Sequence, residues 1–215
     1  MAIQIVFVWL CAYLLGALPS GLLWAWLLKG VDVRKHGSGR TGGTNVWRTA
    51  GFVAALFTVL SDAFKGAVAI WLGRAFGIDL WALALAGALT VVGHNYSCFV
   101  RFRGGAGTVT SMGAAATLWL PALPVLVGLG LLVSLLVGHA SLASILIAIA
   151  LPVLFALAGM PVVAVAFGVP VMLFTLWALR PNLVRLWHGQ ERFLPIYFDK
   201  PPLICLSQHP GRRQS

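Results

Sequence analysis

Residues 36–48 form a glycine-rich, polar and basic stretch between two long apolar segments. The stretch offers free backbone N–H groups, hydroxyls, an amide and two guanidinium groups, which are the groups that hold a phosphate. Glycine also lets the backbone come close to an anion. We therefore predict a phosphate-binding loop at a membrane surface, with candidate residues Gly37, Ser38, Gly39, Arg40, Thr44, Asn45 and Arg48.

Residues 37–42 match the pattern G-x-G-x-x-G, but no predicted strand precedes them and no βαβ unit surrounds them. A dinucleotide site is therefore excluded. The alternative for the whole stretch is a flexible, solvated connector.

A second anion-binding stretch follows the third apolar run. His94 and Asn95 close that run, and two arginines and a glycine-rich segment come next. Two such loops on one face of a membrane are a stronger signal than either alone. The candidate residues are His94, Arg103, Gly104, Gly105, Gly107 and Thr108. The alternative for His94 is a structural histidine at a helix end.

Two further groups of polar residues stand close to apolar segments. Asp62 and Lys65 are spaced i and i+3 within an apolar run, so they meet on one helix face. They are either a structural ion pair or groups that position the first loop or a substrate hydroxyl. In the tail, Asn182, Arg185 and Glu191 are spaced to face one region of the membrane surface. The alternative there is an amphipathic interfacial end.

Other chemistries are missing from the sequence. It has no H-x-x-x-x-D acyltransferase motif, no G-x-S-x-G elbow and no metal-ligand spacing, and its five acidic residues are too few for a carboxylate-rich magnesium site. We expect no metal and no cofactor. Cys11, Cys98 and Cys205 show no ligand spacing and are expected to be free thiols, and the isolated His139 is expected to be structural.

The composition is that of an integral membrane protein. The chain has 215 residues, of which 60% are hydrophobic and 9% charged, whereas soluble domains carry about 25% charged residues. The net charge of +10 comes from basic residues clustered at span ends. The positive-inside rule explains most of them, so we expect no nucleic-acid partner.

The apolar runs predict an all-α membrane protein with seven transmembrane helices in a single domain, residues 1–215. The first three runs are residues 3–28, 52–72 and 80–100, the first being a retained span and not a signal peptide. Residues 109–178 contain no Lys, Arg, Asp or Glu and carry breakers that favour four helices, the first of them short or tilted. The positive-inside rule places the two basic loops and the basic tail in the cytoplasm. An odd number of crossings puts the two termini on opposite sides, so we expect the N-terminus outside and the C-terminus in the cytoplasm.

The polar motifs together resemble the bacterial acyl-phosphate-dependent glycerol-3-phosphate acyltransferase family along the whole chain. The matching segments are Leu18-Pro-Ser-Gly21, Gly37-Ser-Gly39, Thr44-Asn-Val-Trp-Arg48, Asp62-x-x-Lys65-Gly66, Gly93-His94, Phe102-Arg-Gly-Gly-x-Gly107, Arg180-x-Asn182, Arg185-Leu186 and Gly189-x-Glu191.

The resemblance implies a cytoplasm-facing enzyme of the bacterial inner membrane. Such an enzyme moves an acyl chain from acyl phosphate to the 1-hydroxyl of glycerol 3-phosphate, giving lysophosphatidic acid and phosphate, the first step of phospholipid synthesis. It uses neither metal nor a covalent acyl-enzyme, and its partners are its two substrates and membrane lipids. We expect a monomer. Catalytic roles are assigned to Ser38, Arg48, His94, Asn182 and Glu191, and substrate binding to the other candidates in the loops together with Asp62 and Lys65.

Three positions depart from the family. The family has lysine where this chain has Ala106, histidine where it has Leu179, and usually asparagine where it has Arg40. We hypothesise that Arg40 replaces part of the missing charge. Two alternatives stay open: a diverged relative that binds acyl phosphate or a phosphorylated polyol with weak or altered transfer, and a small anion or lipid-phosphate transporter.

Overall fold

The protein is a bundle of helices without strands over residues 1–198 and 202–206, the part of the chain that the computed structural model describes. Nine α-helices lie in this part. They are α1 (Ala2–Ala17), α2 (Ser20–Lys29), α3 (Gly43–Ala50), α4 (Phe52–Ala75), α5 (Leu80–Asn95), α6 (Thr108–Leu118), α7 (Ala122–Val137), α8 (Ala140–Leu157) and α9 (Val162–Trp187).

Five helical segments of the described chain are long and apolar enough to cross a membrane. They are α1 with α2 (Ala2–Lys29), α4 (Phe52–Ala75), Leu80–Val100, α8 (Ala140–Leu157) and α9 (Val162–Trp187). α7 is a shorter apolar helix, and α6 has 11 residues. The four helices α6 to α9 are separated at the predicted breakers, and α6 is short as expected. That seven segments cross the membrane, with the N-terminus outside, stays a prediction.

The prediction that residues 36–48 are loop throughout is wrong, because α3 begins at Gly43. Gly42 caps the helix in an extended conformation, and Val46 and Ala50, one turn apart, are buried with Ala25 beneath them. An apolar stripe on so short a segment was hidden by the surrounding glycines. The third run differs less, since its α-helix ends at Asn95 and a short 3₁₀ helix covers Cys98–Val100.

Small residues let the helices that carry the polar loops pack backbone to backbone. A Cβ added at Gly16 of α1 would lie 2.0 Å from the carbonyl oxygen of Thr90 on α5, and one at Gly113 of α6 would lie 2.0 Å from that of Ala63 on α4. Close approach of this kind is typical of membrane helices. It holds α5 closely against α1, and α6 closely against α4.

Candidate active site

A cavity of about 120 Å³ lies where the first loop, the segment between α5 and α6, and the chain after α9 meet. Its walls contain predicted residues from each of the three segments. The lining residues are Ser38, Arg40, Gly42, Gly43, Thr44, Asn45, Arg48, Asp62, His94, Gly105, Ala106, Gly107, Thr108, Val109, Ala140, Ser141, Ser144, Leu179, Asn182, Glu191 and Arg192.

Three helices begin at this cavity. Thr44 is in the first turn of α3, Thr108 is the first residue of α6, and Ser141 is in the first turn of α8, and all three line the cavity. The N–H groups of a first helical turn lack intrahelical acceptors, and the helix dipole is positive at that end. Convergence of three such ends makes the cavity suited to phosphate groups.

Asn45 holds the first loop in shape. Its Oδ1 accepts a hydrogen bond from the backbone N–H of Ser38 at 2.9 Å, and its Nδ2 donates to the carbonyls of Val33, His36 and Arg40 at 3.0, 3.2 and 2.9 Å. Because both ends of this buried amide are occupied by the loop backbone, Asn45 positions Ser38. Gly37 packs against the same amide: a Cβ there would lie 2.2 Å from Asn45 Oδ1.

Two arginines of the first loop bring positive charge to the cavity. The Arg40 guanidinium donates to the carbonyl of Gly105 at 3.4 Å and to that of Ala178. The Arg48 guanidinium donates to the carbonyl of Phe193 at 2.9 and 3.1 Å. Burial lowers the pKa of both guanidinium groups, that of Arg48 to about 10.

Neither Arg40 nor Arg48 forms an ion pair within the described part of the chain. Both arginines are half-buried, and a cation partly removed from water without a carboxylate partner is costly unless another anion compensates it. The two arginines therefore favour an anionic ligand in the cavity.

Asp62 on α4 joins three helices, α2, α4 and α5, through one buried carboxylate. It accepts from Lys65 Nζ at 2.8 Å and from the hydroxyl of Ser20, and its Oδ1 lies 3.5 Å from His94 Nδ1. Lys65 Nζ also donates to the Leu18 carbonyl at 3.1 Å. The ion pair that the spacing predicts is thus present, and it also fixes one edge of the His94 ring.

The other edge of the His94 ring faces Gly105. A Cβ at Gly105 would lie 2.1 Å from His94 Nε2, so a side chain at this position would displace the ring. The backbone N–H of Gly105 donates to the His94 carbonyl at 3.1 Å. The glycines after α5 therefore let the chain fold back onto the helix end, and they hold His94 at the cavity wall.

Glu191 is held by three donors. Its Oε1 accepts from Asn182 Nδ2 at 2.9 Å and from Ser141 Oγ at 3.1 Å, and its Oε2 accepts from Arg185 Nε at 3.0 Å. The predicted common orientation of Asn182, Arg185 and Glu191 is confirmed. Because both carboxylate oxygens accept hydrogen bonds, the buried Glu191 positions Asn182 and the beginning of α8. This role differs from that of a base that is free to accept a proton.

Most of the candidate residues lie together, and a few do not. Lys65 and Gly37 support the cavity from behind, and Gly39, Arg103 and Gly104 line a neighbouring cavity. His139 is buried, with Nδ1 3.2 Å from the Arg192 carbonyl and its ring stacked on Phe193, which agrees with a structural role.

Sequence reasoning missed Ser141 and Ser144 of α8. They carry the first hydroxyl groups after the predicted helix break at Gly138, and this position in the sequence could have identified them as candidates. Among the described residues, no group of three His, Cys, Asp or Glu is arranged to hold a metal ion. Cys11 and Cys98 are free thiols.

Known proteins resemble this chain along most of its length. A family model described as glycerol-3-phosphate acyltransferase matches residues 6–189. A protein of that name from Thermus thermophilus is 43% identical over 191 residues, covering 86% of this chain and 92% of the relative. Another, from Desulforudis audaxviator, is 40% identical over 190 residues, covering 88% of this chain and 96% of the relative.

The fold is also similar to a solved structure. The crystal structure of PlsY (YgiH), an integral membrane glycerol 3-phosphate acyltransferase, in its glycerol 3-phosphate form, superposes with a TM-score of 0.83 and 32% identity, covering 88% of this chain and 95% of that chain. Its lysophosphatidic acid form gives a TM-score of 0.81. The chain therefore belongs to the glycerol-3-phosphate acyltransferase family.

Proposed function

We propose that this protein transfers an acyl chain from acyl phosphate to the 1-hydroxyl of glycerol 3-phosphate, giving lysophosphatidic acid and phosphate. The observation that carries the proposal is the meeting, at one cavity, of three helix N-termini and two half-buried arginines that form no ion pair within the described residues. Both substrates carry a phosphate, and the cavity offers two arginines as anion-binding groups. Arg48 belongs to α3, and Arg40 contacts the Gly105 carbonyl shortly before α6 begins.

The reaction requires little covalent chemistry from the protein's own side chains. The glycerol hydroxyl oxygen forms a bond to the acyl carbonyl carbon, and the bond between that carbon and the phosphate oxygen breaks. Acyl phosphate is already an activated mixed anhydride, so catalysis consists of aligning the hydroxyl and stabilising negative charge as phosphate leaves. The arginines and backbone N–H groups supply that stabilisation, and Ser38 and His94 lie at the wall where a hydroxyl would be oriented.

The hydroxyl proton needs an acceptor. Glu191 is occupied by three donors and Asp62 by Lys65 and Ser20. Phosphate monoesters have a second pKa of about 6 and so accept a proton near neutral pH. We therefore assign the proton to a substrate phosphate oxygen, with His94 as the alternative acceptor among the cavity residues.

The membrane arrangement is part of the same proposal. We propose seven membrane crossings in the bacterial inner membrane, with the N-terminus outside and the cavity facing the cytoplasm. The clustering of basic residues in the first loop, after α5 and after α9 supports this orientation. The acyl tail of the donor would lie in the bilayer beside the cavity, and we propose that the protein acts as a monomer.

A second candidate function is a binding protein with weak transfer. It is favoured by Ala106 and Leu179, which line the cavity with uncharged side chains. Purified protein in lipid nanodiscs, supplied with glycerol 3-phosphate and a chelator, distinguishes the two. The proposed function predicts lysophosphatidic acid from acyl phosphate, and none from acyl-CoA. Tight binding of acyl phosphate with no product would support the binding protein instead.

A further inference from the structure

A second and larger cavity lies next to the first. It has a volume of about 860 Å³, and Ser38 and Arg40 line both cavities, so these residues form the wall between them. Its basic lining residues are Arg34, Lys35, Arg40, Arg101, Arg103 and Arg180. We call this space the basic vestibule.

The vestibule carries a large excess of positive charge. Among its described lining residues Asp32 is the one acid, and Arg34 holds it at 2.8 Å, which lowers the Asp32 pKa to about 2. Lys35, Arg101, Arg103 and Arg180 form no ion pair within the described chain. A concave surface lined by one sign of charge concentrates ions of the opposite sign and raises their rate of association.

The backbone adopts an unusual conformation between two of these arginines, at Arg101 and at Phe102. Arg101 and Phe102 have φ angles of 55° and 60°, a region that L-residues with side chains rarely adopt. The turn is fixed by hydrogen bonds from Phe102 N to the Ser97 carbonyl at 2.8 Å and from Arg103 N to the Val100 carbonyl at 3.1 Å. Strain of this kind persists where the surrounding structure enforces it, and it places both arginine side chains at the vestibule.

The vestibule also contains a donor without an acceptor. The Tyr96 hydroxyl is shielded from solvent and has no hydrogen-bond partner among the described residues. Beside it, the Arg180 guanidinium lies over the Trp177 ring at 4.1 Å. An unsatisfied O–H close to fixed guanidinium groups is an arrangement that a phosphate oxygen would complete.

The rim is aromatic and exposed. Phe102 is 62% exposed and Trp177 is 61% exposed. Exposed aromatic side chains are typical of the interface between membrane and water. The vestibule is therefore accessible both to soluble anions and to the headgroups of membrane amphiphiles.

We propose that the basic vestibule is a second binding site for a phosphate monoester, which exchanges with the catalytic cavity past Arg40. Two monoesters have this chemistry: glycerol 3-phosphate on its way in, and lysophosphatidate on its way out. The identity of these two ligands rests on the proposed function. The existence of the site rests on the charges and the unsatisfied hydroxyl of the vestibule itself.

The test measures equilibrium binding without an acyl donor. The full chain in phosphatidylcholine nanodiscs is titrated with glycerol 3-phosphate, and separately with lysophosphatidate added to the bilayer. The test variant is Arg101→Asn with Arg103→Gln, asparagine being chosen because it tolerates a left-handed backbone. The matched control is Lys29→Gln, an exposed basic residue at the end of α2 that lines neither cavity.

Because the first cavity also binds a phosphate monoester, the proposal predicts two equivalents bound per chain in the control, of which the double variant binds one about ten-fold or more weakly. Loss confined to glycerol 3-phosphate identifies the soluble substrate as the occupant, and loss confined to lysophosphatidate identifies the product. Unchanged binding of both monoesters, relative to Lys29→Gln, overturns the proposal. If the double variant does not fold, Arg180→Gln replaces it under the same criterion.

The result is separable from the proposed transfer reaction. Suppose that the protein shows no acceptor-dependent transfer but its monoester binding still depends on Arg101 and Arg103. That result would refute the proposed function and support the vestibule as a binding site. Active transfer together with unchanged monoester binding in the double variant would support the proposed function and refute the vestibule as a binding site.

Discussion

The guanidinium of Arg40 reaches the carbonyl of Gly105 at 3.4 Å, and it also reaches that of Ala178. These carbonyls directly precede Ala106 and Leu179, the two positions where this chain lacks basic side chains that its family resemblance leads one to expect. Arg40 therefore places a charge at the same part of the cavity wall. This geometry supports the hypothesis that Arg40 compensates for the two uncharged residues.

Replacing Arg40 tests the compensation. We predict that Arg40→Asn lowers kcat/KM for glycerol 3-phosphate by about ten- to hundred-fold, which corresponds to one charge-assisted contact. Adding Ala106→Lys to Arg40→Asn should restore part of the loss. Arg74→Asn, which removes an exposed arginine at the other end of α4, is the control. Activity of Arg40→Asn equal to that of Arg74→Asn would reject the hypothesis.

A side chain at Gly105 should disable the site by moving His94. Because a Cβ at Gly105 would lie 2.1 Å from His94 Nε2, we predict that Gly105→Ala lowers kcat/KM by about a hundred-fold, as expected for a misplacement of about 1 Å. The matched control is Gly128→Ala in α7, where a Cβ has open space around it. Steady-state kinetics of both variants decide this, and a fully active Gly105→Ala would show that the position of His94 is unimportant.

Variants of the Asp62–Lys65 pair should show different effects on stability and on activity. Asp62→Asn leaves the Lys65 ammonium buried without its partner, and we predict a loss of about 3–5 kcal/mol in the free energy of unfolding. The double variant Asp62→Asn/Lys65→Met should recover part of that stability in detergent unfolding experiments. Activity should stay low in both, because His94 has lost the carboxylate at 3.5 Å. Recovery of activity together with stability would mean that the pair is purely structural.

Glu191 should matter more to stability than an exposed carboxylate does. Glu191→Gln removes the charge that Arg185 faces at 3.0 Å, with a predicted cost of about 1.5–3 kcal/mol. The comparison is Asp32→Asn, which breaks the exposed pair with Arg34 and should cost less than about 1 kcal/mol. Unfolding midpoints measured for both variants under one condition provide the readout. Equal effects would contradict a positioning role for Glu191.

Parts of this arrangement were within reach of sequence reasoning. Charged residues are scarce in this apolar chain, so the segments that carry Arg48, Arg103 and Glu191 were expected at the ends of membrane spans. An even number of crossings between these segments predicted that they lie on the same side of the membrane. The ion pair of Asp62 and Lys65 followed from helical spacing alone.

Other parts depend on tertiary contacts. α3 was hidden because its buried stripe spans only Val46 to Ala50 among glycines. Ser141 sits in a charge-free run, and its role appears only when the chain after α9 folds back to bring Glu191 to it at 3.1 Å. Arg103 was expected at the catalytic cavity, but the left-handed backbone at Arg101 and Phe102 turns it toward the vestibule.

Release of inorganic phosphate shows whether one cavity brings two phosphate-bearing substrates together. The purified protein in lipid nanodiscs is given acyl phosphate, and inorganic phosphate is followed with and without glycerol 3-phosphate. The proposed reaction predicts phosphate release that requires glycerol 3-phosphate and equals, mole for mole, the lysophosphatidic acid formed. Release that is absent, or that proceeds at the same rate without glycerol 3-phosphate, would contradict it.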